Sequence, residues 1–275
     1  MDQGGPEEWF RSLPPVTKWL GVATFVLTLS WTLQLVDPML FLFDRSLVFQ
    51  KLQIWRLFTA FLFIGKFSFG WLMHVYLWVQ FSGQLEKNSI FTSAGPGSYL
   101  WFILLQMLMI NLLGLIFYWP TGLPMLGGSL LFAIIYYWSR RESLSPIRVY
   151  FITVKGYQLP FVMLLFHLLM GESVWADVIG WLTSHLYYLI RNVLPSEGNI
   201  WPPQRFGDPL SKTPQFLDDA MRHLGSGRAA QLRQEPRTEN TSQSWFSEAS
   251  NVTRRRTTEG HTRPFSGVGN RLGGN

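Results

Sequence analysis

The chain has 275 residues and a formal net charge of +6, and it is 48% hydrophobic with only 15% of residues charged. Soluble domains carry ~25% charged residues, so this composition speaks against an ordinary soluble protein; 16% aromatics with 13 Trp suit long membrane–water boundaries. With no cysteine, disulfides, thiolate metal sites and thiol nucleophiles are excluded.

Residues 1–18 have mixed charge, and no small-residue cleavage pattern follows the next apolar run. They do not read as a removable signal, so the first apolar run is expected to remain as an anchor. Hydropathy then marks six spans in chain order: WLGVATFVLTLSWTLQLV at 19–36, FSFGWLMHVYLWVQFSG at 67–83, YLWFILLQMLMINLLGLIFY at 99–118, LPMLGGSLLFAIIYYWS at 123–139, YQLPFVMLLFHLLMG at 157–171 and VWADVIGWLTSHLYYLI at 174–190. Between the first two, the amphipathic pattern of IWRLFTAFLF predicts a segment lying in the membrane interface. Several spans are short. Fifteen residues of helix cover about 22 Å against ~27–30 Å of hydrocarbon, a mismatch that snorkelling or local bilayer thinning relieves.

Composition shifts near Pro195. Residues 1–195 hold 9 acids and 12 Lys or Arg, while the 80 residues from 196 to 275 hold 8 acids and 11 Lys or Arg among Ser, Thr, Gly and Asn. The first part is expected to be a membrane domain and the second a disordered tail, which lacks the apolar residues for a core. Arg140, Arg141, Arg148 and Lys155 lie between spans four and five, Arg191 follows span six, and the loop between spans three and four has no charge. This bias places both termini in the cytosol, although Arg45, Lys51, Arg56 and Lys66 lie in the far-side loop. The Arg254–Arg256 run is a solvated or headgroup-facing basic patch, so no nucleic acid partner is expected.

Ionisable groups inside spans are functional candidates, and His74, His167 and His185 are of this kind. Ser129 follows two glycines. A serine on one helix and a histidine on another is the minimum for acyl transfer if the two meet, and it also needs oxyanion donors. The plainer alternative is close helix packing by serine and a histidine satisfied by backbone. The tail ends in RPFSGVGNRLGGN, where Phe265, Gly267, Gly269 and Leu272 form F-x-G-x-G-x-x-L. Two apolar anchors flank glycines that let the backbone lie close to a partner, as an added strand would.

WFRSLPPVTK (9–18), QIWRLFTAFLF (53–63), Glu86 in QLEK, YYWSRR (136–141), GWLTSHLYYLIRNVLP (180–195) and KTPQFL (212–217) together resemble the derlins, rhomboid-like proteins of the endoplasmic reticulum membrane. The resemblance implies an all-α membrane fold: a rhomboid-like six-transmembrane-helix bundle over 1–195 with a flexible cytosolic tail over 196–275. Trp55-Arg56 matches the Trp-Arg motif of the first luminal loop, with Trp55 expected as an aromatic anchor and Arg56 as a partner of polar loop groups. Gly127-Gly128-Ser129 matches three positions of the rhomboid protease motif G-x-S-G, but Leu130 replaces its last glycine. Gly180-x-x-x-Ser184-His185 resembles G-x-x-x-A-H, and the small Gly180 and Ser184 are expected to let span six pack tightly. The oxyanion motif H-x-x-x-N falls on Gly70 and His74, so neither of its residues is present.

The resemblance therefore implies a non-catalytic protein with vestigial dyad positions Ser129 and His185, no cofactor and no metal. Its work would be endoplasmic-reticulum-associated degradation: retrotranslocation of misfolded clients through a locally thinned bilayer, beside a membrane ubiquitin ligase. Phe265 to Leu272 (265–272) looks like the derlin motif that docks the AAA ATPase valosin-containing protein. The alternative is an active rhomboid-type intramembrane serine protease using Ser129 and His185. A solute carrier fits poorly, because no convincing repeat relates the two halves.

Overall fold

A computed structural model describes residues 5–118, 123–149, 152–169, 174–193 and 213–223. The chain opens with α1 (Pro6–Ser12), whose first turn carries Glu7 and Glu8 and whose last carries Arg11, matching the sign of the helix dipole at each end. Pro14 stops it, and Pro15 begins α2 (Pro15–Thr32), where a missing N–H leaves no bond unmade. The predicted first span runs four residues further than α2. Leu33 leaves the helix and Gln34 takes a positive φ of 57°.

The loop that follows is built from short capped pieces. Asp44 caps α3 (Arg45–Gln50) by accepting from the Ser46 and Leu47 amides. The Ser46 hydroxyl bonded to the same carboxylate is the main cause holding Asp44 below its ordinary value. Next comes α4 (Arg56–Leu62), the segment predicted to lie in the interface, and then α5 (Phe69–Glu86), begun by Ser68 accepting from the Trp71 amide at 3.1 Å. A short α6 (Ser89–Thr92) leads to α7 (Ser98–Phe117), and then to α8 (Gly127–Arg141), whose last turn carries Arg140 and Arg141.

The connection between spans four and five, for which the sequence predicted no element, holds a two-stranded antiparallel hairpin, so the fold is not wholly helical. β1 (Pro146–Val149) pairs with β2 (Ile152–Lys155), with Ile147 opposite Val154, and Ile147, Val149 and Val154 are buried. Those three alternate along the strands as a half-buried hairpin requires. α9 (Leu159–Leu169) and α10 (Val174–Tyr188) follow, then a π turn at Leu189–Val193. A further helix, α11, spans 215–223.

All six predicted spans are helical over most of their length, but among the described residues only α7 is both long and apolar enough to cross a membrane by length and composition. α2 and α5 have 18 residues each but are diluted by Thr, Ser, Gln and Gly, and α8, α9 and α10 have 15, 11 and 15 described residues. The core lies around α8, where every residue from Ser129 to Ser139 is buried. It packs most extensively against α10 and also against α5, α9, α4 and α7. A helix apolar all round belongs at the centre of such a bundle. At its Arg140 end the core is aromatic: the Phe102 ring lies 4.9 Å from Tyr137, 5.1 Å from Tyr187 and 5.3 Å from Phe91.

α11 docks on the connection between α6 and α7. Leu217 and Met221 are buried, and an Asp218 carboxylate oxygen accepts the Gly97 amide at 2.8 Å, at the N-terminus of α7. A Cβ on Gly97 would come within 2.9 Å of the Asp218 and Leu217 backbone, and Gly95 has φ of +131° beside the same carboxylate, so both glycines are required by the close approach. Replacing Asp218 by alanine removes an anionic cap from α7. The expected loss is about 1 kcal/mol, seen as a roughly fivefold faster hydrogen exchange in the first turn of α7. Unchanged exchange there would show that Leu217 and Met221 alone hold α11.

Candidate functional site

Among the described residues the most extensive helix pairing joins α8 to α10. Gly180 lies against the Ser129 backbone so closely that a Cβ would be 2.2 Å from the Ser129 carbonyl oxygen. The Ser129 hydroxyl donates to the Ala176 carbonyl at 2.7 Å, back across the same seam. Ser184 is fully buried one turn beyond Gly180, and its hydroxyl has no hydrogen-bond partner among the described residues.

His185 looks elsewhere. Its Nδ1 pairs with the Tyr136 hydroxyl at 2.6 Å, and its ring lies 6.1 Å from Trp181. Ser129 and Tyr136 are seven residues apart on α8, so about 10 Å of helix separates the serine from the histidine's partner. The structure thus brings Ser129 to Gly180 and Ala176, and His185 to Tyr136; it does not bring Ser129 to His185.

A cavity of about 340 Å³ opens beside this seam, among α5, α8, α9 and α10. Gly70 and His74 line it from α5, and Gly127 and Gly128 from the first turn of α8. The positions matched to the protease oxyanion motif and nucleophile loop therefore do share one space, without Ser129 or His185 in its lining. The polar centre of the cavity is a pair that sequence reasoning did not find. His167 Nδ1 and Asp177 Oδ2 are 2.6 Å apart, and Asp177 is 2% exposed. In the sequence Asp177 lies within the sixth predicted span, 174–190. The signal that could have found it is its place in the first turn of α10, where a carboxylate also suits the helix dipole.

In the loop between α2 and α5, Arg56 is 3% exposed. Its Nε donates to the Gln53 side-chain oxygen at 2.6 Å, and its Nη1 donates to the Met39 carbonyl and, at 2.7 Å, to the Leu42 carbonyl. The Thr59 hydroxyl adds a bond to the Phe41 carbonyl at 3.1 Å. One guanidinium thus fastens the 39–42 stretch to the start of α4. Trp55 is half exposed beside it and begins the helix.

Glu86, at the end of α5, receives the Val16 and Thr17 amides at 2.9 and 2.8 Å and the Thr17 hydroxyl at 2.8 Å. The chain of bonds continues through Ser82 to the Tyr99 hydroxyl. The resemblance had marked Glu86, but its role as the anionic cap of α2, contributed from 69 to 70 residues away, was not readable from sequence.

Among the described residues no group of three His, Cys, Asp or Glu side chains could hold a metal ion. Phe265, Gly267, Gly269 and Leu272 lie outside the described residues.

The sequence model of the Der1-like family matches residues 13–215. The chain is similar to Derlin-1 of Arabidopsis thaliana, 31% identical over 215 residues that cover 78% of this chain and 76% of that protein. It is similar to Derlin-2.1 of Zea mays, 30% identical over 221 residues, 77% of this chain and 84% of the relative. A probable derlin-2 homolog of Dictyostelium discoideum is 31% identical over 218 residues, 78% and 82% of the two chains.

Proposed function

Because the chain belongs to the Der1-like family, a membrane-associated one, we propose that it serves endoplasmic-reticulum-associated degradation as a non-catalytic component. In this reading it sits in the endoplasmic reticulum membrane with both termini in the cytosol. It helps misfolded clients pass back to the cytosol beside a membrane ubiquitin ligase, and its tail recruits the AAA ATPase valosin-containing protein.

The observation that carries the non-catalytic part is the separation of the dyad. Ser129 donates a hydrogen bond to the Ala176 carbonyl and His185 is bonded to Tyr136, so among the described residues no hydrogen bond joins the serine to the histidine that would serve as its base. The protease reading would need α8 and α10 to slide by about two turns against the Gly180 contact.

The short helices support a thinning role. Up to Ser139, the last residue before Arg140, α8 offers 13 uncharged residues, about 20 Å of helix against ~30 Å of hydrocarbon. A thinner apolar layer lowers the barrier to a polar chain, because less distance is crossed with peptide groups unbonded. The cavity with His167, Asp177 and His74 offers polar groups at membrane depth, where a client's own polar groups would otherwise be unsatisfied.

The tail carries the rest of the proposal. A peptide spanning 258–275 is expected to bind the N-terminal domain of the ATPase with micromolar affinity, and to lose it when Phe265 and Leu272 are both alanine. Calorimetry with the two peptides decides this. No binding by the native peptide removes ATPase recruitment from the function, and labelling of Ser129 by a serine-directed probe then becomes the test of the protease reading.

A further inference from the structure

One carboxylate lines the cavity among α5, α8, α9 and α10. Asp177 is 2% exposed, its Oδ2 is bonded to His167 Nδ1 at 2.6 Å, and no described residue bonds its other oxygen. We infer that this cavity selects clients by charge: it takes a membrane segment that carries a lysine or arginine at membrane depth, and Asp177 is the group that pairs with that side chain. The inference deepens the reading of the chain as a degradation component and rests on it.

Charge complementarity names the occupant. Among the described residues that line the cavity, Asp177 is the sole carboxylate, and none is a lysine or arginine. Lys66 lies between Ile64 and Ser68, which both line the cavity, yet its ammonium is committed elsewhere, 5.4 Å from the Trp31 ring. A neutral imidazole makes the bond to Asp177 from Nδ1–H, so the His167–Asp177 pair keeps one negative charge. The first turn of α10 favours that charge.

The walls strengthen it. Trp71, Leu77, Leu131, Phe132 and Met163 are apolar, and a charge in such surroundings is screened little. A cation on a membrane segment is costly in hydrocarbon and needs an anion at its own depth. His74, on α5, lines the same cavity and brings a second acceptor. No described residue bonds its ring, and a neutral imidazole nitrogen accepts a hydrogen from an ammonium or guanidinium. Phe69 and Met125 line the cavity and are exposed, so an apolar segment can rest on them while its one basic group reaches inward. An acidic client fits less well. Gly127 and Gly128 of the first turn of α8 line this space, but a client carboxylate would also meet Asp177 as a like charge.

The chain has no cysteine, so one placed beside the cavity reports on its own. Full-length Met125→Cys protein is co-expressed with three single-span reporters that differ at one mid-span position, Leu, Lys or Glu, and carry one cysteine a turn away. Oxidation traps the disulfide adduct, and a chase measures turnover of the same reporters. The lysine reporter is expected to give roughly fivefold more adduct than the leucine reporter. Asp177→Asn keeps the shape without the charge and is expected to bring the two level, while His167→Gln keeps the charge and the lysine preference. A merely structural pair would instead lower all three reporters together in Asp177→Asn, and that result overturns the inference. Equal adduct from the lysine and leucine reporters on the Asp177 chain, with both still degraded, overturns charge selection alone. More adduct from the glutamate reporter overturns it too, since the histidines or the α8 amides would then be the receptor. If Asp177→Asn does not fold, the three reporters on the Asp177 chain decide alone. A chain that degrades none of the three, and whose loss slows no client, overturns the degradation reading and the inference with it.

Discussion

Valine at position 180 is expected to cost about 3–4 kcal/mol and to abolish client turnover. The Cβ alone would sit 2.2 Å from the Ser129 carbonyl oxygen, 3.0 Å from its carbon and 3.1 Å from its Cα. These are backbone atoms, so no rotamer change relieves the overlap, and α8 and α10 must part. Overpacking of this kind costs ~1–3 kcal/mol. Parting the helices also breaks the bond from Ser129 to the Ala176 carbonyl, worth ~1 kcal/mol where both groups stay buried. The seam is the most extensive helix pairing in the fold, so the strain spreads into the core rather than staying local. Thermal unfolding in detergent reads the stability, and pulse-chase of a misfolded luminal client reads the function, with membrane insertion as control. The companion substitution is Ser184→Ala. Its hydroxyl is buried without a partner among the described residues, so its removal is expected to be neutral or slightly stabilising. A Gly180→Val protein that unfolds as wild type and still degrades clients would falsify the packing role of this seam.

The contrast between those two positions shows what the sequence could and could not reveal. Small residues four apart on span six announce a close helix approach, and this was legible from residue type alone. Which helix approaches, and that Ser129 is the residue met, depends on the rotation of α8 and α10 about their axes. A one-residue error in a helix register turns a side chain by ~100°, so hydropathy fixed the existence of the helices and not their facing sides. The same limit hid the separation of Ser129 from His185. Long-range caps were hidden for a different reason. Glu86 and Asp218 act on helix ends about 70 and 121 residues away, and nothing local marks a carboxylate as belonging to another helix's N-terminus. The hairpin at 146–155 was missed because a strand of four residues gives too little alternation to outweigh four nearby cations.

Arg56 supplies the second large expected effect, and it separates the two halves of the Trp-Arg pair. Alanine at 56 deletes a buried guanidinium that binds the Gln53 side chain and the Met39 and Leu42 carbonyls. Two backbone carbonyls then lose a charged donor, and hydrogen bonds to charged groups are worth ~1.5–3 kcal/mol each. A loss of about 3 kcal/mol is expected, concentrated in the loop from Asp37 to Gln53, because the bonds that fasten this loop to α4 are few. Limited proteolysis should therefore cut that loop many times faster while the core around α8 keeps its protection. Arg56→Lys restores the charge but not the fork, so a single ammonium cannot reach acceptors on both sides and recovery is expected to be partial. Trp55 is 51% exposed, and its replacement by alanine should leave proteolysis of the loop nearly unchanged in detergent. Its effect is expected only in a bilayer, as weaker protection of the loop by lipid, since the indole acts on the interface and not on the fold. If Trp55→Ala opens the loop in detergent as Arg56→Ala does, the pair is one structural unit, and the division of labour between anchor and clamp is wrong.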